Sequence, residues 1–286
     1  MVAKASSATG AGALAPGEPQ LHAQLRGAGD VDVLLLHGLF GAGGNLGAIA
    51  RALAAAGFRV HQLDLPNHGR SPRLEEPSIP RMARAVRAYA DAAAAGPPVL
   101  LGHSLGGKVA MQFALEAPAS VAALVVADIA PRRYAPGHAA VFAAIDAVVA
   151  GRPATRRAAA GLMRRHLEDE AVVQFLSLSL CRGEAGQWHW RFDAAGLRAA
   201  YPALLAAPDA TGVYRGPVLL LRGEHSRYVD DAGLRAARGY FSHLRCVSIA
   251  QAGHWLHAEQ PEAVIAAVLC FLESAGSLSG HAGVPA

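Results

Sequence analysis

The chain has 286 residues and a net charge of +4; 52% of the residues are hydrophobic and only 17% are charged. This length and apolar content support one large domain with a full buried core, and they exclude an intrinsically disordered chain. The positive charge comes from scattered residues, 24 arginines against two lysines, which argues against a nucleic-acid-binding surface. No apolar run reaches the roughly 18 residues that a membrane span requires.

The two ends of the chain are predicted to be flexible tails, over residues 1–20 and 274–286. The first is rich in Ala, Gly, Ser and Pro and lacks the continuous apolar segment of a signal peptide. Cys181, Cys246 and Cys270 are odd in number and widely spaced. This usage predicts reduced thiols and a cytoplasmic protein.

Short apolar runs alternate with Ala-rich helical patterns in two blocks, which form a predicted core over 21–130 and 214–273. Strands are expected at 31–36, 59–65, 98–101, 121–127, 217–221 and 245–249. Helices are expected at 46–56, 83–94, 107–117, 231–238 and 261–272. Strands that alternate with helices predict an α/β fold, with a mostly parallel twisted sheet and helices on both faces.

Between the two blocks, residues 131–213 are predicted to form an inserted helical cap. Helical patterns at 139–150, 154–166 and 168–180 follow one another without strands between them. The aromatic residues of this segment are expected to form its own core: Phe142, Phe175, Trp188, Trp190, Phe192 and Tyr201.

The stretch Gly102-His103-Ser104-Leu105-Gly106 lies where a predicted strand passes into a predicted helix. A serine on such a turn has a strained backbone, and its hydroxyl is exposed above the carboxyl end of the sheet. Ser104 is therefore the candidate nucleophile.

A serine hydroxyl needs a base, an acid that orients the base, and donors for an oxyanion. His254 follows the last predicted strand and comes after Ser104 in the chain, so it is the candidate base; His68 and His103 are expected to be structural. The oxyanion donors are expected to be the N–H groups of Leu105 and Leu39, with Phe40 as the second candidate in the loop 37–41.

Six motifs, in order along the chain, carry a resemblance. They are HGLFG at 37–41 with Asn45, DLPNHGRS at 64–71, GHSLGGK at 102–108, ADIAP at 127–131, WRF at 190–192 and AGHWLHAEQP at 252–261. Together they resemble the small bacterial carboxylesterases of the α/β-hydrolase superfamily, over residues 31–272. The resemblance implies an α/β-hydrolase fold with a helical cap. It also implies hydrolysis of esters or thioesters through an acyl-enzyme, without a cofactor or metal.

The acid has more than one candidate. Most α/β-hydrolases carry it in the loop after the strand before last, but Ser226 fills that position here. In the branch that this chain resembles, the acid follows the strand after the nucleophile helix, which implies Asp128. Asp230 and Glu224 remain alternatives.

Three other patterns are weaker. Val109 stands where a phosphate-binding loop beginning at Gly102 needs Ser or Thr, so Lys108 is expected to anchor its helix through an ion pair. The glycine-rich segment 38–47 lacks the third glycine of a dinucleotide-binding turn. His257 and Glu259 near His254 lack the remaining ligands of a metal site.

The expected partner is a small-molecule ester with an uncharged acyl group of small to medium size, because apolar residues dominate the cap. The sequence indicates no oligomeric state. The alternatives are a catalytically weak ligand-binding receptor on the same scaffold, or another chemistry of that scaffold: C–C hydrolysis, lyase or perhydrolase activity.

Overall fold

The computed structural model describes residues 19–184 and 186–278. Within these ranges the strands are β1 (Ala23–Arg26), β2 (Asp32–Leu36), β3 (Arg59–Leu63), β4 (Val99–His103), β5 (Ala123–Ala127), β6 (Leu180–Arg182), β7 (Trp188–Trp190), β8 (Tyr214–Gly223) and β9 (Phe241–Ile249).

The helices of the described residues fall in the same alternating order. They are α1 (Gly47–Ala55), α2 (Ile79–Ala93), α3 (Leu105–Glu116), α4 (Ala139–Gly151), α5 (Arg156–Met163), α6 (Glu170–Leu178), α7 (Ala194–Ala199), α8 (Tyr201–Leu204), α9 (Asp231–Tyr240), α10 (Leu256–Glu259) and α11 (Pro261–Leu278). Two short 3₁₀ turns lie at Gly43–Leu46 and Pro118–Ser120.

Seven of the strands form one twisted sheet in the order β1-β3-β2-β4-β5-β8-β9. The pairs from β3 through to β9 are parallel, and β1 pairs antiparallel with β3 at the edge. The predicted α/β architecture with a mostly parallel sheet is confirmed. The sequence analysis missed β1, because this edge strand is short and largely exposed and so has no continuous apolar run.

The central strands are unbroken apolar runs in the sequence, because both faces of the sheet are covered by helices. Successive side chains of a strand point to opposite faces, so Leu34 and Leu36 join one core while Val33 and Leu35 join the other. Helices α2 and α3 pack on the first face, and α1 and α11 pack on the second. The carboxyl ends of the parallel strands therefore meet at one edge, where loops from several strands converge.

The segment between β5 and β8 contains helices α4–α8 and packs on the same face as α2 and α3, through residues such as Phe142 and Leu176. The three helices expected here follow one another without strands between them, as α4–α6, but the segment is not wholly helical, because β6 and β7 form an antiparallel hairpin after α6. The hairpin is three residues long on each side, too short for a periodic pattern to reveal it. We call residues 131–213 the insertion.

The predicted tails lie mainly outside the described residues, which exclude 1–18 and 279–286. The C-terminal prediction began too early, since α11 continues through residues 274–278. Ala275 is buried against the second core, which explains why the helix does not stop at 273. No helix among the described residues is long and apolar enough to cross a bilayer.

Candidate active site

Ser104 lies at the sharp turn between β4 and α3. Its backbone has φ 53° and ψ −117°, a conformation that is costly for a residue with a side chain. The turn is possible because glycines stand two residues before and two residues after Ser104: a Cβ on Gly106 would lie 2.2 Å from the carbonyl oxygen of Leu36. Strand β4 and helix α3 thus hold the Ser104 side chain at the carboxyl edge of the sheet.

The structure brings Ser104, His254 and Asp128 together from three separate parts of the chain. Nε2 of His254 lies 3.0 Å from Oγ of Ser104, and Nδ1 lies 2.8 Å from Oδ2 of Asp128. His254 is on the loop after β9, and Asp128 directly follows β5. A proton on Nδ1, donated to Asp128, leaves the Nε2 lone pair facing the serine hydroxyl.

Asp128 is fully buried, and its backbone has φ 52°. Its Oδ1 accepts the N–H of Gly223 at 3.0 Å, and its Oδ2 accepts the hydroxyl of Ser226. Ser226, in the slot where an acid was sought, therefore supports the acid that comes from β5.

The alternative acids point elsewhere. Asp230 caps the N-terminus of α9, where it accepts the N–H of Gly233 at 2.7 Å, and it forms an ion pair with Arg132 at 3.1 Å. Glu224 accepts the N–H of Gln251 at 2.8 Å on the surface. Neither carboxylate contacts His254 among the described residues.

Three further histidines surround His254. Nε2 of His103 donates to the carbonyl oxygen of His254 at 2.8 Å, which ties the histidine loop to β4. Burial holds the pKa of His103 well below its usual value, and burial lowers the pKa of His138 and of His257 to about 4 each. All three rings are therefore uncharged near neutral pH.

Leu39, in the loop 37–41, lines the cavity beside Ser104. Leu105 is the first residue of α3, so its N–H precedes the first helical turn and has no acceptor within the helix. Phe40 does not fit as an oxyanion donor, because its N–H already donates to Nε2 of His68 at 3.1 Å. That correction leaves Leu39 and Leu105 as the available pair.

Two buried histidines hold this loop in place. Nδ1 of His37 donates to the carbonyl oxygen of Gly38 at 2.8 Å, and Nε2 accepts the N–H of Leu65 at 3.0 Å. His68 uses its second nitrogen to donate to the carbonyl oxygen of Pro66 at 2.9 Å. Burial lowers the pKa of His37 to about 4 and the pKa of His68 to about 3, so both rings stay neutral as this pattern requires.

A cavity of about 490 Å³ opens beside Ser104 and His254. The far wall comes from the insertion and is mostly apolar: Val141, Val172, Phe175, Leu176, Tyr201 and Leu204. Of the aromatic residues expected in the core of the insertion, Tyr201 is buried there together with Phe142, Trp190 and Phe192, and Phe175 and Trp188 pack against that core partly buried. Phe175 and Tyr201 also line the cavity.

Lys108, on the helix that follows Ser104, does not form the expected ion pair with any of the described residues. Its ammonium donates to the carbonyl oxygens of Leu205 and Ala206, at 2.9 and 2.6 Å, directly after the end of α8. Carbonyls at a helix C-terminus attract a cation, so this lysine fastens the insertion to the nucleophile helix without a carboxylate. Burial lowers the pKa of Lys108 to about 7.

Sequence reasoning missed Tyr228, whose ring stacks on the imidazole of His254. The ring centroids are 3.9 Å apart, and the planes differ by 20°. The only signal was its position, two residues after Ser226 in the loop that follows β8.

Comparison with known proteins places this geometry in a family. The family model for the alpha/beta hydrolase fold matches residues 33–261. The esterase YbfF of Escherichia coli (strain K12) is 38% identical over 241 residues, which cover 84% of this chain and 92% of that protein.

Two further matches cover a similar share of the chain. The sn-1-specific diacylglycerol lipase ABHD11 of Mus musculus is 33% identical over 84% of this chain and 80% of that protein. The solved structure of a marine microorganism esterase superposes with a TM-score of 0.84 at 30% identity, and the match covers 89% of this chain and 100% of that one. The chain belongs to the α/β-hydrolase family, on its esterase branch.

Proposed function

We propose that this chain is a serine hydrolase that cleaves carboxylic esters, or thioesters, of small to medium acyl groups. The observation that carries the proposal is the continuous line of contacts from Ser104 through His254 to the buried Asp128. The names of the similar proteins, an esterase and a diacylglycerol lipase, support ester bonds as the substrate class.

In the proposed mechanism, Oγ of Ser104 attacks the acyl carbon while Nε2 of His254 accepts the hydroxyl proton. Asp128 keeps the other proton on Nδ1 and offsets the positive charge of the imidazolium that forms. His254 then returns its proton to the departing alcohol or thiol, which leaves an acyl-enzyme on Ser104. Water, deprotonated by the same imidazole, releases the carboxylic acid.

The proposed oxyanion hole consists of the N–H groups of Leu39 and Leu105. Both belong to backbone that is fixed before the substrate arrives: one lies in the loop held by His37 and His68, the other at the first residue of α3. Fixed donors aimed at the developing charge do not need to reorganise in the transition state.

The insertion is proposed to act as a cap over the site and to set the size of the acyl group. Its support is the apolar wall that it contributes to the cavity of about 490 Å³. A reducing compartment, the cytoplasm, is proposed because Cys181, Cys246 and Cys270 are all free thiols.

The test compares p-nitrophenyl acetate, butyrate and octanoate as substrates for the wild type, Ser104→Ala and Ser120→Ala. Ser120 precedes β5 and so lies at the edge of the sheet opposite to Ser104, which makes it a matched control. We expect hydrolysis and labelling by a fluorophosphonate in the wild type and in Ser120→Ala, with the label mapped to Ser104. A wild type no faster than Ser104→Ala would refute the hydrolase and favour the ligand-binding receptor.

A further inference from the structure

Tyr228 contacts the base of the proposed reaction on a face that neither Ser104 nor Asp128 occupies. Its ring lies nearly parallel to the imidazole of His254, with the centroids 3.9 Å apart and the planes at 20°. Ser104 and Asp128 approach in the plane of the imidazole, through its two nitrogens. The tyrosine ring therefore restrains rotation of the imidazole out of that plane.

The backbone at Tyr228 is tied to the loop that carries the acid. The hydroxyl of Tyr134 donates to the carbonyl oxygen of Tyr228 at 2.7 Å and accepts the N–H of Ala130 at 2.8 Å. The N–H of Tyr228 donates to Oγ of Ser226 at 3.2 Å, and Ser226 donates to Asp128. Acid, base and stacking ring thus belong to one hydrogen-bonded unit.

The ring interacts differently with the two charge states of His254. A neutral imidazole gains ordinary stacking from an aromatic face, whereas an imidazolium is also attracted by the negative face of the ring. During turnover, the imidazolium forms while Ser104 or water has given up its proton, at the transition states and tetrahedral intermediates. An interaction that strengthens there accelerates the reaction.

We propose that Tyr228 is a positioning residue for His254, whose ring face orients the imidazole and stabilises the imidazolium formed during acylation and deacylation. This inference rests on the proposed hydrolase function and adds a residue to it. The proton moves from Ser104 to Nε2 and on to the leaving group as before, and Tyr228 exchanges none.

The ring, and not its hydroxyl, carries the effect. Among the described residues, the hydroxyl of Tyr228 has no hydrogen-bond partner. Burial raises the pKa of Tyr228, so the phenol stays neutral wherever a serine hydrolase is assayed. Phenylalanine at this position should consequently preserve function.

Several other groups face His254 and must be considered in a pH profile. Asp128 lies at Nδ1, His103 packs with a centroid distance of 4.8 Å, and the rings of His138 and His257 interact with it electrostatically. Further charged or titratable residues line the same cavity: Lys108, Arg132, Arg133, Tyr134, Tyr201 and Arg227. The three neighbouring histidines have lowered pKa values, and burial lowers the pKa of Lys108 to about 7. NMR of the imidazole is therefore needed beside the acidic limb of kcat/KM, because it separates His254 from Lys108.

The first experiment compares Tyr228→Phe and Tyr228→Leu with the wild type on p-nitrophenyl butyrate. We expect Tyr228→Phe to stay within about twofold of the wild type, and Tyr228→Leu to lose about 3- to 30-fold in kcat, with KM little changed. The acidic limb of Tyr228→Leu should move to lower pH, since its imidazolium is less stable. Tyr240→Leu, at the end of α9, serves as the matched control.

The second experiment keeps the shape of the residue and therefore the fold. Phenylalanine, 4-fluorophenylalanine and pentafluorophenylalanine are placed at position 228, so that only the electron density of the ring face changes. We expect kcat to fall and the pKa of His254, followed by NMR of the imidazole, to fall as fluorination increases. Equal values for phenylalanine and pentafluorophenylalanine would overturn the proposal.

The experiments distinguish a failure of the proposed hydrolase function from a failure of the proposed role of Tyr228. If the wild type lacks Ser104-dependent ester hydrolysis, the proposed function fails, and the NMR titration still decides whether the ring face stabilises the imidazolium. If the wild type and Tyr228→Phe hydrolyse esters and react with the fluorophosphonate while the fluorinated series is flat, only the role of Tyr228 is lost.

Discussion

Ser226 donates its hydroxyl hydrogen bond to Oδ2 of Asp128, and the same oxygen lies 2.8 Å from Nδ1 of His254. Ser226 follows β8 and Asp128 follows β5, yet the two side chains meet at the carboxylate oxygen that faces His254. This is possible because β5 and β8 are neighbouring parallel strands, so their carboxyl ends lie side by side. We therefore expect that an acid placed after β8 can serve the same base.

The first prediction concerns the identity of the acid. Asp128→Asn should lower kcat/KM by about 10³- to 10⁴-fold, because an amide neither offsets the imidazolium charge nor fixes the productive tautomer. Asp230→Asn should remain close to the wild type, since Asp230 serves α9 and Arg132. Steady-state hydrolysis of p-nitrophenyl butyrate provides the measurement, and the reverse ranking would reassign the acid.

The second prediction moves the acid between strands. Because position 226 is within hydrogen-bonding reach of the same oxygen that contacts His254, Asp128→Asn/Ser226→Asp should recover at least about tenfold of the activity lost in Asp128→Asn. Asp128→Asn/Ser226→Asn, which restores no charge, is the control. Equal rates for the two double variants would show that position 226 cannot serve the base.

The third prediction concerns acid stability. The pKa of His68 is about 3 in the folded chain, against 6.5 for the free side chain. Between these values the unfolded state binds one more proton, so stability falls as pH falls, by about 1.4 kcal/mol per pH unit for this residue. In His68→Gln, urea unfolding between about pH 4.5 and 6 should show a slope smaller by up to one proton. His166→Gln, on the surface, should keep the wild-type slope.

The fourth prediction concerns alkaline stability. The pKa of Lys108 is lowered from 10.5 to about 7, so the unfolded state holds the extra proton between these values and stability should rise with pH there. Lys108→Met should abolish that rise, measured as the thermal midpoint between about pH 7.5 and 9. Lys4→Met, at the other lysine of the chain, is the matched control. A rise that persists in Lys108→Met would contradict the assignment.

Much of the fold follows from local sequence, because buried parallel strands leave unbroken apolar runs. The run at 121–127 contains β5, and the run at 217–221 lies inside β8. The short hairpin β6–β7 leaves no such trace. Its two strands are stabilised by pairing with each other within the insertion. The hydrophobic periodicity of so short a stretch does not predict that pairing.

The residues of the candidate site also differ in how well local sequence predicts them. Ser104 and His254 were predictable because each is fixed by a local rule, a strand-to-helix turn and a loop after the last strand. Asp128 came from a resemblance, since two neighbouring strand ends can serve the same histidine. The roles of Ser226 and Tyr228 depend on contacts between residues more than twenty positions apart, so the local sequence did not predict them. Lys108 was expected to pair with a carboxylate, but its ammonium donates to two carbonyl oxygens.

The chain leaves the sheet after β5 and returns at β8, so the proposed catalytic residues and the apolar wall of the cavity come from different stretches of sequence. A chimera in which the insertion comes from a relative should acquire new substrate preferences while it keeps its own nucleophile, acid and base. Tyr134 sets a boundary for such grafts, because its hydroxyl joins the acid loop to the loop after β8. The productive crossover point in this scaffold is accordingly after Tyr134, and grafts that begin earlier should lose turnover even when they fold.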